Sequence, residues 1–284
     1  MSAAAQPAAL EEVRGPSAFG GGAGRFFRLT WLLSVTEFKL NYFGTVFGYL
    51  WTLLRPLLLF AVLYTVFTRI IRFQVPHYAQ ILLLNLTLYW LFSEATSRSV
   101  RSVASNENIV RKTHFPRIVI PVSTVTTSLL NVGLNLVAVL IFLTATGVGP
   151  RLSWFALPVV VGALAIFTTG VALLLSALFV RFRDVAQLWS LLVTVLFYAS
   201  PVLYPVEVIP ERFPGWLHFI LYVNPLVPIL DEARRVVVDP SAPSPVELAG
   251  NPFGIIAPVC VVLAVCALGL WTFVRAAPRV AEEL

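Results

Sequence analysis

Long uncharged stretches alternate with short polar ones along the chain. Five runs lack Asp, Glu, Lys and Arg: residues 73–93, 118–149, 152–180, 185–206 and 248–274. Each reaches or exceeds the roughly 20 residues that a helix needs to cross hydrocarbon. A sixth run, 57–68, becomes long enough if it begins near Gly48 and carries Arg55 close to a membrane face. The pattern predicts an all-α membrane protein with six transmembrane helices, over about 48–68, 78–97, 118–146, 154–180, 185–205 and 253–274. Tyr49 and Trp51 at the start of the first crossing suit an interfacial aromatic belt. Pro56 falls in the first turns, where its missing amide hydrogen costs least.

The segments between and around these runs have their own patterns. Residues 1–24 are rich in Ala, Pro and Gly and read as a disordered cytoplasmic N-terminus without a cleavable signal peptide. Over 25–47, Phe26, Leu29, Leu33, Leu40, Phe43 and Phe47 recur at helical spacing. This predicts an amphipathic helix lying in the interface. Arg28 and Lys39, about three turns apart on it, point the same way. The third run ends at Gly147-Val148-Gly149-Pro150, a turn signal, and the fourth carries Gly162 and Gly170, which allow close helix approach.

Residues 201–252 hold half of the chain's 20 prolines. Within them, 213–230 is apolar but interrupted by Pro214, Pro225 and Pro228. This segment reads as a re-entrant external hairpin, tolerated only where protein or a water-filled cavity covers its backbone. An amphipathic external cap is the other arrangement that the composition allows. The region 206–250 is thus a candidate external gate, and 276–284 a cytoplasmic tail.

The most polar interruption is Ser105-Asn106-Glu107-Asn108-Ile109-Val110-Arg111-Lys112-Thr113-His114-Phe115-Pro116-Arg117, within a connecting loop over 98–117. It sits in a chain that is 58% hydrophobic and 12% charged, with mean hydropathy +0.85. Charge concentrated between two crossings points to a partner in the water. The second such turn is Arg181-Phe182-Arg183-Asp184.

The net charge of +6 does not point to nucleic acid, because its distribution follows the membrane. Thirteen of the 20 Lys and Arg residues fall in segments assigned inside, six outside, and Arg55 remains with the first span. Under the positive-inside rule this predicts that both termini are cytoplasmic. Glu94 precedes Arg98 by four residues and reads as an ion-pair partner near the membrane edge rather than a proton relay. Cys260 and Cys266 lack metal spacing, and His77, His114 and His218 form no motif. The Gly20–Gly24 cluster is followed by Arg25-Phe26 instead of Gly-Lys-Ser/Thr, so this chain is not expected to hydrolyse ATP through a phosphate loop.

Several local signatures carry a family resemblance over about Arg25 to Arg275. They are Gly48-Tyr49-Leu50-Trp51 leading to Arg55-Pro56-Leu57-Leu58, the Asn-rich 105–121 segment with Phe115-Pro116-Arg117, and Arg181-Phe182-Arg183-Asp184-Val185. To these are added 198–205 with Pro210-Glu211, and Asn224-Pro225. In this order the chain resembles the permease subunit of polysaccharide/polyol-phosphate ABC exporters, the O-antigen, teichoic acid and galactan export type.

The resemblance implies a homodimer of permeases in a heterotetramer with two ABC ATP-binding subunits, in a bacterial plasma (inner) membrane. It implies no cofactor on this chain, with ATP and Mg on the partner. It assigns residues Ser105 to Lys112 to a coupling helix docked on the ATPase, and the stretch before the first span to an interface helix. The expected cargo is a polyprenyl-diphosphate-linked glycan. Its CH-rich sugar faces suit aromatic surfaces, making Tyr42, Trp51, Tyr64, Trp90, Phe197, Tyr198 and Tyr204 candidates for lining its path. Arg28 and Lys39 are candidates for steering the diphosphate. Pro205, Pro210, Pro214, Trp216 and Pro225 mark the external gate. An ABC permease for a drug or lipid is the first alternative. A non-transporting membrane enzyme or scaffold is the second, and it would need convergent carboxylates, a His cluster or a metal set.

Overall fold

The computed structural model describes residues 22–42, 48, 50–106, 115–206, 221, 223–248 and 255–276, and its regular elements are all helical. The helices are α1 (Ala23–Tyr42), α2 (Leu50–Thr65), α3 (Tyr78–Ser105), α4 (Val119–Ala145), α5 (Leu157–Arg181), α6 (Val185–Ala199), α7 (Leu226–Val237) and α8 (Ile256–Ala276). A π-helical turn, Val66–Ile70, extends α2, and a 3-10 turn, Leu152–Ala156, precedes α5. Among the described residues, three segments are long and apolar enough to cross a membrane: Val119–Ala145, Leu152–Arg181 and Ile256–Ala276. Pro56–Ile70 and Val185–Ala199 are shorter apolar helices.

Helix α3 is the axis of the fold. Its 28 residues span about 42 Å at 1.5 Å per residue. It packs against α2, α4, α5, α6 and α7. Leu82, Leu84, Leu88, Leu91 and Phe92 are fully buried in its middle. Buried polar side chains on α3 tie its N-terminal half to the chain after α6. Tyr78 Oη donates to the Leu203 carbonyl at 2.9 Å and Asn85 Nδ2 to the Pro201 carbonyl at 2.8 Å. A buried amide costs heavily unless hydrogen-bonded, so Asn85 fixes where the 200–206 turn sits. Trp189 on α6 donates from its indole to Thr96 Oγ1 at 3.1 Å.

Helices α5 and α8 approach until their backbones touch. A Cβ on Gly269 would stand 2.3 Å from the Gly170 carbonyl oxygen, and one on Gly170 would stand 2.7 Å from Cys266 Sγ. Hydrophobicity does not drive helix association in lipid, and small residues that admit close packing supply the contact instead. Gly170 therefore does what its place in the sequence suggests. Among the described residues a Cβ on Gly162 would meet nothing within 4 Å, so that glycine makes no such contact within the chain described.

Two elements differ from their sequence-based expectation. The apolar stripe of α1 predicts a helix with that stripe toward lipid and its polar face toward water. Its buried positions are instead Thr30 and Ser34, which face α4. Ser34 Oγ lies 2.7 Å from the Thr30 carbonyl and 3.1 Å from the Ser123 carbonyl. Phe27, Trp31, Leu32 and Leu40 are exposed. In a membrane the hydroxyl face finds its partners on a neighbouring helix and the large apolar side chains can be left to lipid. Phe43 and Phe47 lie outside the described residues.

The second difference concerns the prolines at 225 and 228. They do not break a helix; they stand at the start of one. Asn224 Oδ1 accepts the Leu226 amide at 3.1 Å, and Pro225 immediately precedes α7. There the missing amide hydrogens are among those a helix start leaves unpaired anyway. Helix α7 is strongly amphipathic. It buries Leu226, Val227, Leu230, Ala233 and Val237 against α3 and α5. Ser153 Oγ and Trp154 Nε1 reach its last carbonyls at 2.6 and 2.9 Å. On its outer side Glu232 and Arg235 pair at 2.7 Å, a contact that raises the arginine pKa. Residues 207–220, and with them the first eight positions of the segment read as a hairpin, lie outside the described residues.

Candidate functional site

Three helices turn polar side chains toward one cavity of about 490 Å³ near the start of α2. Helix α3 supplies Trp90, Glu94 and Arg98, spaced by four residues and so on one face. Helix α4 supplies Asn131 and Asn135, also four apart and both buried. The end of α1 supplies Asn41 and Tyr42, and α2 closes the space with Trp51 and Pro56. Gly48, with φ +48°, makes the turn into α2 in a conformation that favours glycine.

The polar groups hold one another. Tyr42 Oη donates to Asn131 Oδ1 at 2.6 Å. Arg98 reaches Glu94 at 3.4 Å, the ion pair expected from their spacing, and Glu37 of α1 at 4.0 Å. Thr127 Oγ1 stands 2.9 Å from the Ser123 carbonyl and 3.3 Å from Glu37 Oε2. The cavity thus combines aromatic faces with amides and charged groups. That mixture suits a ligand with apolar CH faces and many hydroxyls, since aromatic rings cover the former and polar groups the latter.

Of the aromatic residues proposed from the sequence, the structure brings Tyr42, Trp51 and Trp90 together here. Tyr64 lies in a second cavity of about 760 Å³ at the far end of α2, with Phe60, Phe73, His77, Tyr78 and Gln80. The rings of Tyr64 and Phe60 stack at 5.7 Å. The non-glycine residues Arg72 (φ 58°) and His77 (φ 55°) hold the intervening loop in left-handed backbone. Phe197, Tyr198 and Tyr204 form a third group. Phe197 meets Tyr89 and Tyr198 edge-on at 5.2 Å, and Tyr204 Oη donates to the Tyr198 carbonyl at 2.9 Å. Arg28 and Lys39 are both exposed on α1.

Ser105 and Asn106 close α3, each side chain bonding back to the preceding turn at 2.9 Å. Glu107, Asn108, Ile109, Val110, Arg111 and Lys112 lie outside the described residues. The stems on either side of them are packed. Val103, Ile118, Ile120, Leu173, Ala177 and Phe273 form a small buried cluster, with Phe26 and Phe115 against it. It joins the end of α3 and the start of α4 to α1, α5 and α8. Arg117 is 2% exposed, and among the described residues its Nε and Nη1 make no hydrogen bond. Burial lowers its pKa from the ordinary arginine value. Pro205 and Pro225 are buried around the turn before α7, while Pro210, Pro214 and Trp216 lie outside the described residues.

Sequence reasoning passed over Glu37, Asn131 and Asn135. The signal available was the pair of asparagines one turn apart in an otherwise apolar run, since polar side chains inside a span find protein partners. Among the described residues no group of three or more His, Cys, Asp or Glu could hold a metal.

Comparison with known proteins agrees with this architecture. The chain is 34% identical over 217 residues to an O-antigen export system permease protein RfbA of Klebsiella pneumoniae, covering 76% of this chain and 82% of that protein. It is 31% identical over 227 residues to the protein of the same name from Myxococcus xanthus, covering 80% and 85%. The polysialic acid transport protein KpsM of Escherichia coli is 24% identical over 198 residues, covering 67% of this chain and 74% of its own length. Residues 28–237 match the family described as ABC-2 type transporter, and this all-helical chain belongs to that family.

Proposed function

We propose that the chain is the membrane-spanning subunit of an ATP-driven exporter of a polyprenyl-diphosphate-linked polysaccharide. The observation that carries this reading is the match, over most of the chain, to permeases named for O-antigen export, joined to an aromatic and amide-lined cavity within an apolar helical body. In this reading α2 with its π-helical extension, α3, α4, α5, α6 and α8 are the six crossings. Both termini and residues 98–117 face the cytoplasm of a bacterial cell, and the region around α7 closes the outer face.

The mechanism follows from these parts. The chain works as one of two permease copies, each docked on an ATP-binding subunit that binds ATP and Mg and hydrolyses the nucleotide. Closure of the two ATPases pushes residues 105–112. The packed cluster at their stems, with Phe26, Val103, Ile118 and Phe273, passes that displacement to α1, α3, α4, α5 and α8 together. Close-packed interiors transmit strain instead of absorbing it. The realigned helices open a path at the dimer axis. Along it Tyr42, Trp51 and Trp90 contact sugar faces near the cytoplasmic side, and Tyr64, Phe197, Tyr198 and Tyr204 do so nearer the exit.

Co-reconstitution with the ATP-binding subunit tests the proposal. Vesicles containing both are expected to move a polyprenyl-diphosphate-linked glycan only when ATP is supplied. Movement of a drug or a plain lipid in place of the glycan would favour the other ABC permease reading.

Arg28 and Lys39 project from the exposed side of α1, where they can steer the diphosphate of the carrier lipid. A cation near an anionic group at the membrane surface is worth about 1 kcal/mol. The Arg28→Ala/Lys39→Ala double variant, which removes two such cations, should therefore export about thirtyfold less at limiting substrate. Its assembly, measured by size-exclusion chromatography with the ATPase, should be unchanged. Undiminished export would remove the steering role.

A further inference from the structure

Helices α5 and α8 run to their C-terminal ends side by side, locked by the Gly170–Gly269 backbone contact. Just past that contact they part around an outward-facing groove of about 500 Å³, separate from the site described above. Ala177, Leu178 and Thr272 form its inner wall, and at its mouth stand Arg181, Phe182, Trp271 and Arg275. Both arginines and both aromatic rings are exposed.

Each arginine lies over an aromatic ring. Arg275 Cζ lies 4.1 Å from the centre of the Trp271 ring, and Arg181 Cζ lies 5.4 Å from that of Phe182. Among the described residues neither arginine has a carboxylate partner, in contrast to Arg98, Arg234 and Arg235. A guanidinium held over a ring by a cation–π contact keeps N–H donors that the ring does not use, and these can bind an anion bidentately. A cation at a helix C-terminus complements the helix dipole, and that accounts for one arginine on each helix. It does not account for two of them lining one groove, each over an aromatic ring.

Both helices belong to the segments long and apolar enough to cross a membrane, so their C-terminal arginines stand at the same membrane–water boundary. Away from that boundary, α8 exposes Leu263, Leu268 and Leu270, and α5 exposes Ile166. An amphiphile with a phosphate at the boundary and hydrocarbon along these side chains is complementary to both halves of the surface.

We infer that this groove is a binding site for an anionic glycerophospholipid, whose phosphate bridges Arg181 and Arg275 while its acyl chains follow the α5–α8 seam. The lipid would fasten the ends of α5 and α8 beside the cluster that holds the coupling stems, since Phe273 of α8 is buried in that cluster. Only the placing of the site in the cytoplasmic leaflet rests on the orientation proposed above. The headgroup site depends on no reading of the cargo.

The test is native mass spectrometry of the complete transporter released from bilayers of equal phosphatidylglycerol and phosphatidylcholine. Phosphatidylglycerol should be retained on the permease in about thirtyfold preference, the effect of two cations at about 1 kcal/mol each. The Arg181→Gln/Arg275→Gln variant should lose that preference while the mass of the assembled complex stays the same. Arg183→Gln, on the same turn but not lining the groove, should keep it. Equal retention of the two lipids by the unaltered protein would overturn the inference, a result that does not depend on any variant folding. So would loss of the preference in Arg183→Gln, full retention in the double variant, or a polyprenyl diphosphate bound at these arginines in place of the phospholipid.

Discussion

Reversing charge in the polar elbow between α3 and α4, by Glu107→Lys or Arg111→Glu, will leave ATP hydrolysis running while the glycan exported per ATP falls by at least about tenfold. The size follows from the cost of disrupting a docked charge contact between subunits, roughly 2 kcal/mol or more, with about 1.4 kcal/mol for each factor of ten. The effect belongs to coupling and not to folding. These side chains are polar in a polar loop, and the stems beneath them are held independently by Val103, Ile118, Ile120, Leu173, Ala177 and Phe273. Simultaneous measurement of phosphate release and glycan translocation in vesicles separates the two quantities. Coupled turnover at the unaltered ratio would remove this loop from the transmission path.

The second large effect is structural. Gly269→Val should destabilise the protein by on the order of 3 kcal/mol, the upper part of the range for overpacking a close contact. Even the first added carbon would stand 2.3 Å from the Gly170 carbonyl oxygen, and backbone cannot turn aside as a flexible side chain can. Helices α5 and α8 would separate, and α8 has few other attachments, since most of its surface is exposed. The thermal midpoint in detergent reports the loss. Gly162→Ala, at a site where a Cβ meets none of the described residues within 4 Å, provides the comparison and should be neutral or slightly stabilising. Equal midpoints for Gly269→Val and the unaltered chain would mean that the two helices do not depend on this contact.

Much of the helical content could be read from the chain because a membrane helix must satisfy its backbone internally, which makes uncharged length a strong signal. Among the described residues, three helices meet the crossing criterion, and the runs at 118–149, 152–180 and 248–274 cover them except for the last one or two residues of the second and third. The pair Glu94–Arg98 could also be read, since an acid and a base four residues apart share a helix face.

What could not be read is which face of a helix meets protein. Hydropathy reports whether a side chain prefers water, and in lipid both the buried and the exposed faces can be free of charge. Helix α1 illustrates this: Thr30 and Ser34, which look solvent-facing by composition, are its buried contacts. Asn131 and Asn135 stand out in the sequence only as polar positions in an apolar run, and the site they belong to cannot be read there for a related reason. Only the packing of α4 beside α3 places them opposite Trp90, Glu94 and Arg98. The prolines near α7 read as breaks because one dipeptide can end a helix or begin one. The hydrogen bond from the Leu226 amide to Asn224 decides for a beginning.

The central claim is that a cytoplasmic ATPase grips the chain between α3 and α4. A single cysteine at position 108, in a chain with Cys260 and Cys266 replaced, tests it most directly. In intact cells this cysteine should resist a membrane-impermeant maleimide added from outside, and on inverted membranes a short bifunctional maleimide should join it to a subunit that hydrolyses ATP. Labelling from the external side, or cross-linked material with no nucleotide-hydrolysing partner, would contradict the account.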